Sequence, residues 1–337
     1  MFAYIIRRVF SGIIMLLLVS LVTFILFFAS PVNPARLSCG KICSPALIEQ
    51  NSKALGYDKP MIVQWGQFVK GIVAGREFPE DASLRKSAPE TIATCPAPCL
   101  GYSPLNAETV SSELGPRIPV SASLALAAFV LWMVFGISFG IIAALRRGKF
   151  LDKLLVSAAL VAYAFPTFFI GLFIYQFIAL KWGLFPVPVY TPLTQDPLLW
   201  LQGLVLPAIT LALVYLAGYV RLTRAFMLES MGEDYLRTAK AKGLAPRKIL
   251  FKHTLRAALT PIVTQAGLDL GLLLGGAIIT EQVFNYPGVG KLAVQAATTY
   301  DLPTNVGIVI LIASFVVVAN IIVDVLYGLI DPRVTLA

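Results

Sequence analysis

Six stretches of this chain run 24 to 29 residues each with at most one charged side chain: Val9–Ala35, Ile118–Leu145, Leu154–Leu180, Pro197–Val220, Ala257–Thr280 and Leu302–Ile330. The last two are each interrupted once, by Asp269 and Asp324. About 20 apolar residues in helical conformation cross the hydrocarbon core of a bilayer. One such run also fits a buried helix of a soluble core, but six in 337 residues do not. Only 13% of the residues are charged, against about 25% in soluble domains. The short alternating segments of a membrane β-barrel are missing. The expected fold is an all-α polytopic membrane protein with six transmembrane helices. The first run follows Arg7 and Arg8, as the core of a signal peptide would. Its length exceeds the roughly 7–15 residues usual for such a core, and no small-residue cleavage site follows cleanly, so it is expected to be a retained span.

Basic residues set the expected orientation, because cytoplasmic loops collect Lys and Arg. With six spans both termini share a side. If that side is the cytoplasm, its segments hold 16 basic residues against five acids, whereas the long segment 31–117 holds nine against eight. The formal net charge of +9 is therefore a topology signal; a nucleic-acid binder would carry a basic face on a soluble module. All four cysteines, Cys39, Cys43, Cys95 and Cys99, fall in segment 31–117, on the outer side. Outside the membrane disulfides are expected. Free thiols and a metal site are the alternatives, the latter weakened by the lack of a nearby histidine, and three pairings are open.

The chain thus divides into a first helix (1–30), an external segment (31–117), a five-helix core (118–330) that includes a cytoplasmic loop (223–259), and a cytoplasmic C-terminus (331–337). Within the external segment Met61, Trp65, Phe68, Val69 and Ile72 share one helical face behind Pro60. That helix is expected to lie on the membrane, to pack on the spans, or to form the core of a small external domain. Residues 76–117 read as a loop stapled by disulfide. Gly136, Gly140 and Ala144, and Gly267, Gly271 and Gly275, recur at four-residue spacing and let helix backbones approach closely. Pro166 and Pro207 are candidate kinks.

The loop between the fourth and fifth runs contains "AKAKGLAPRKILFKH", residues 239–253, with the only histidine. A short helix is expected from about Gly232 to Lys242. Glu233 and Asp234 lie at its start and Lys240 and Lys242 at its end, where the helix dipole favours each. Gly243 then stands at the position after the cap, and Pro246 suits the first turn of a second helix. The small residues Thr238, Ala239 and Ala241 leave the turn's surface low, with Leu244 as an apolar knob. Such an elbow fits a docking element for a soluble partner; a plain basic linker is the alternative.

The stretch "EDYLRTAKAKGLAPRKILFKHTLRAALTP" (233–261) resembles the cytoplasmic coupling loop of ABC importer permeases, specifically the B-type permease of the dipeptide/oligopeptide family. Tyr235, Thr238, Ala239, Ala241, Lys242, Gly243, Leu244, His253, Ala258, Leu259 and Pro261 match that family's pattern in order. "MFAYIIRRVFSGIIMLLLVSLVTFILF", "LGYDKPMIVQWGQFV" (55–69), "LGYSPLNAETVSSELGPRIPVSASLALAA" (100–128), "ITEQVFNYPGVGKLAVQA" (279–296) and "VDVLYGLIDPR" (323–333) are similar to its first span, external helix, approach to span 2, span 5–6 connection and C-terminus. Two features depart from the family. Val32-Asn33-Pro34 stands where Gly-Asp-Pro is usual, and the cysteine-bearing stretches around 39–43 and 76–99 look like insertions or replacements.

The resemblance implies a type I importer permease fold and a non-catalytic subunit of the cell (inner) membrane. A second homologous permease, two ATPase subunits (or one fused) and an extracytoplasmic binding protein would be its partners. ATP and Mg would sit in the ATPases, since this chain has no phosphate-cradling motif and no cofactor is expected on it. The residues expected to contact an ATPase are Tyr235, Thr238, Ala239, Lys242, Gly243 and Leu244. The cargo expected is a di- or oligopeptide; nickel, glutathione or a haem-like solute are alternatives. A stand-alone secondary transporter would show inverted repeats or several charged span residues, and an intramembrane enzyme would need facing catalytic groups. Neither pattern is present, and no catalytic or metal-ligating residue is expected. Asp269 and Glu281 are the candidates for the translocation path. Asp269 would attract the amino end of a peptide or pair with a neighbouring subunit, or else be a hydrogen-bonded structural acid. Glu281 would face the path or be solvated. Asp324 reads as an interfacial cap and His253 as a lone histidine without metal partners.

Overall fold

The computed structural model describes residues 2–29, 34–37, 43–87 and 89–330. In chain order its helices are α1 (Phe2–Ala29), α2 (Pro34–Leu37), α3 (Pro45–Leu55), α4 (Met61–Ala74), α5 (Ala82–Ser87), α6 (Val110–Leu114), α7 (Ile118–Leu145), α8 (Phe150–Ala164), α9 (Thr167–Phe173), α10 (Pro197–Gly232), α11 (Asp234–Ala241), α12 (Pro246–Lys248), α13 (Leu255–Val283), α14 (Val289–Thr298) and α15 (Leu302–Ile330). Helix α9 continues as π-helical turns over Ile174–Lys181, and a second such stretch, Ile249–Thr254, joins α12 to α13. Among the described residues four helices are long and apolar enough to cross a membrane, namely α1, α6 with α7, α10 and α15. A fifth crossing exists if the bent pair α8 and α9 counts as one. Helix α13, 29 residues long, holds the remaining apolar run.

The run Leu154–Leu180 is not one kinked rod. Helices α8 and α9 meet at 100°. Pro166 forces the residue before it out of the helical region, and Phe165 is extended (φ −92°, ψ 134°). Pro207 has no such effect, because it sits inside the unbroken 36-residue α10.

The chain forms two compact units, one from the segment up to Pro119 with Gly288–Val317, the other from Val120–Pro287 with the residues from Val318 on. In the first, α4 buries the face read from the sequence. Phe68 is buried and Met61, Trp65, Val69 and Ile72 are half-buried, while Ile62, Val63 and Val73 are exposed. Phe68 packs on Phe24 of α1 (ring centroids 5.2 Å apart) and on Val306 and Ile310, and the Trp65 indole donates to Ser20 Oγ (3.0 Å). Helix α4 therefore packs on apolar helices of its own unit. The segment 76–117 is more than a stapled loop. It contains two small antiparallel sheets, β1 (Arg76–Phe78) with β2 (Ala93–Cys95), and β3 (Tyr102–Ser103) with β4 (Glu108–Thr109). Cys95 pairs with Cys99, with Cα atoms 5.4 Å apart. Cys43 is also disulfide-bonded; Cys39 lies outside the described residues. Asp301 caps α15, accepting from Thr304 Oγ1 (2.9 Å) and from Ser103 Oγ of β3 (2.5 Å).

In the second unit α7 lies against α10. A Cβ on Gly136 would stand 2.8 Å from Tyr219 Cβ, and one on Gly140 would stand 2.5 Å from Thr223 Cβ and 2.9 Å from the Val220 carbonyl. The Gly136, Gly140, Ala144 row is thus the groove into which α10 settles, consistent with close packing through small residues. Trp132, Leu124, Leu206, Leu211, Tyr219, Ile262 and Leu273 fill the core that α7, α10 and α13 share.

Candidate functional site

Two features of the second unit carry chemistry beyond packing: an exposed elbow and an acid midway along the apolar α13. The elbow is α11, a turn, and α12. Glu233 is the N-cap residue and Asp234 opens the helix, placing two carboxylates where the dipole is positive. At the other end Gly243 has φ +74°. The Gly243 amide donates to the Lys240 carbonyl (2.9 Å) and the Leu244 amide to the Ala239 carbonyl (3.3 Å). This pair of bonds is the Schellman arrangement, which uses up two carbonyls the helix end leaves open and needs a left-handed residue at its centre. Pro246 then starts the next helix, where its missing amide costs nothing.

The six elbow residues do not all face outwards. Tyr235 (45% exposed), Thr238, Lys242 and Gly243 are on the surface, and nothing lies within 4 Å of where a Cβ on Gly243 would stand. Ala239 is buried and packs with Leu236 and Ile249, and Leu244 closes on the same cluster. Leu244, the apolar knob of the turn, is half-buried against this cluster, because the residue after a Schellman glycine folds back on the helix it terminates. His253 is half-buried on the π-helical stretch. Behind the elbow Ser230 Oγ donates to the Thr254 carbonyl (3.2 Å), tying the end of α10 to the start of α13.

One contact at this end was not visible in the chain. Arg224 of α10 meets Asp152 of α8 through two bonds, Nε to Oδ1 (2.6 Å) and Nη2 to Oδ2 (2.9 Å). The Gly148 amide donates to the same carboxylate (2.8 Å). The two residues are 72 positions apart and neither sits in a motif.

Asp269 lies on α13 with partial exposure. It accepts from Tyr219 Oη (2.7 Å) and Gln265 Nε2 (3.1 Å). Tyr219 stands beside Trp132 (6.0 Å between rings), which stacks on Tyr215 (4.4 Å, 18°). Glu281 is different. It is 0% exposed and accepts from Ser121 Oγ (2.5 Å), so it is packed inside its unit and not solvated. Asp324 carries no described side chain.

Residues 136–336 match the family model described as the binding-protein-dependent transport system inner membrane component, and residues 1–125 match the N-terminal model of such membrane components. The chain belongs to this permease family. Similar proteins agree over nearly full length. A Brucella abortus (strain 2308) chain, provisionally named a peptide transport system permease protein, is 36% identical over 99% of both chains. The dipeptide transport system permease protein DppB of Escherichia coli (strain K12) is 33% identical, again over 99% of both. Among solved structures, a chain of the MetNI methionine ABC transporter in an inward-facing form shares the fold. Its TM-score is 0.50 at 17% identity, over 65% of this chain and 96% of that one. The permease is therefore a membrane-spanning transport component with several apolar helices, and its family is not one of catalysts.

Proposed function

We propose that this permease forms half of the translocation pathway of an ATP-driven importer for di- and oligopeptides in the cell membrane. The peptide cargo is drawn from the two relatives named for peptide and dipeptide transport, which the chain matches end to end. Helix α13 is the sixth span, since its 29 residues reach about 43 Å, beyond the roughly 30 Å of hydrocarbon. Both termini are then cytoplasmic, as the basic residues require, and residues 31–117 lie outside, where the Cys95–Cys99 disulfide is stable.

The observation that carries the coupling role is the elbow: a short exposed helix, closed by a Schellman turn at Gly243 and braced from beneath by Ala239, Leu244 and Ile249. Tyr235, Thr238, Lys242 and Gly243 offer its outer surface to an ATPase groove, while Ala239 and Leu244 hold its shape. A second permease, two ATPase subunits or one fused, and an external binding protein complete the machine. ATP and Mg belong to the ATPases. Closure of the ATPase pair would pull the elbows together and rock the spans between two packings. Of the two candidate acids, Asp269 is the one with an open face to the path.

Affinity purification of the tagged chain from its native membranes tests this. Co-purification of ATPase subunits, with ATP-dependent uptake of labelled alanyl-alanine after reconstitution, is the expected result. A chain that purifies alone and transports without ATP would overturn it.

A further inference from the structure

Asp269 is the middle residue of α13, about 21 Å from either end at 1.5 Å per residue. An ionised acid at that depth is costly unless it meets water or a counter-charge. Its two donors, Tyr219 and Gln265, are both neutral. The apolar runs of the two helices that meet here, Pro197–Val220 and Ala257–Thr280, contain no lysine, arginine or histidine. Among the described residues the carboxylate is hydrogen-bonded but has no ion-pair partner.

The surroundings suit one kind of cation. Trp132 and Tyr219 are buried, and Trp132 is locked between the Tyr215 face (4.4 Å) and the Phe129 edge (5.1 Å). Tyr215, Gln265 and Asp269 keep some exposure. Aromatic faces beside a carboxylate attract an ammonium group. Here each oxygen already accepts one bond and keeps one further acceptor position, enough for an ammonium N–H.

We propose that Asp269, beside the part-exposed Tyr215 ring, forms a mid-membrane site for one ammonium group of the passing cargo, the protonated amine end of a peptide. Tyr219 and Gln265 are positioning residues that hold the carboxylate. The assignment of the amine to a peptide and the depth of the site in the membrane rest on the importer reading above; the carboxylate and the part-exposed ring beside it do not.

Asp269 in the assembled transporter is expected to be amidated by a water-soluble carbodiimide with glycinamide, located by mass spectrometry. Because ethylamine can itself be coupled to the activated acid, the readout is loss of unmodified Asp269 by either amine; ethylammonium at about four times its dissociation constant is expected to slow that total labelling about fivefold, and equal potassium chloride to leave it unchanged. No labelling, which a base of a neighbouring subunit seated on Asp269 would produce, or labelling indifferent to ethylammonium, overturns the site. In a second arm, uptake of alanyl-alanine per assembled transporter should fall about tenfold in D269N, with D269E restoring most of it; uptake by D269N equal to the unaltered chain also overturns the proposal. Protection by ethylammonium in a transporter that moves no alanyl-alanine supports the cation site and contradicts only the peptide cargo.

Discussion

Gly140 and Gly243 are both glycines for a reason, and the reasons are opposite. Gly140 has ordinary helical geometry and no room, since a Cβ there would stand 2.5 Å from Thr223 Cβ. Gly243 has open space and a left-handed backbone, with φ +74° and nothing within 4 Å. The first belongs to a seam that α7 and α10 must keep closed. The second belongs to an exposed turn, which the proposed coupling would present to an ATPase. The proposed coupling would use both: a closely packed seam, and a handle whose shape is fixed but whose surface is free.

Substitutions that separate space from backbone geometry sharpen this contrast. The largest effect is expected for Gly140→Leu, which overpacks a seam lined by backbone as well as side chains and should cost about 3 kcal/mol. The readout is loss of the chain from the membrane fraction or a lowered Tm in detergent. A variant as abundant and as heat-stable as the parent would show that the seam can open. Next comes Asp152→Asn, which leaves the half-buried Arg224 without its ion-pair partner and should cost about 2 kcal/mol. It should lower Tm by less than Gly140→Leu, and Asp152→Glu should recover part of the loss. The smallest effect on stability is expected for Gly243→Ala. The left-handed penalty for a Cβ is about 1 kcal/mol, confined to the turn, so membrane abundance should stay near normal while ATP-driven uptake falls. A Gly243→Ala chain that vanishes from the membrane would mean that the elbow belongs to the core.

The same contrast explains what was legible in the chain. The elbow could be read because its signals are local: acids at the helix start, Gly243 after the cap, Pro246 opening the next helix. The buried face of α4 could be read from its period. The inward turn of Leu244 follows from the backbone bonds of the cap, which residue types alone do not reveal. The 100° turn at Phe165–Pro166 was expected only as a kink, since proline restricts its predecessor but does not set how far the chain swings. The sheets between 76 and 109 are two or three residues per strand, too short for an alternating pattern. The Asp152–Arg224 pair and the Tyr219–Asp269 bond join residues 72 and 50 positions apart, and only packing brings them together.

The central claim is that the elbow is the handle of a separate ATPase. A photo-reactive side chain at Thr238, which is exposed on α11, is predicted to cross-link to an ATPase subunit in the assembled transporter, with a yield that drops when Gly243→Val is added. Cross-links from Thr238 only to lipid or to an extracytoplasmic protein would contradict it.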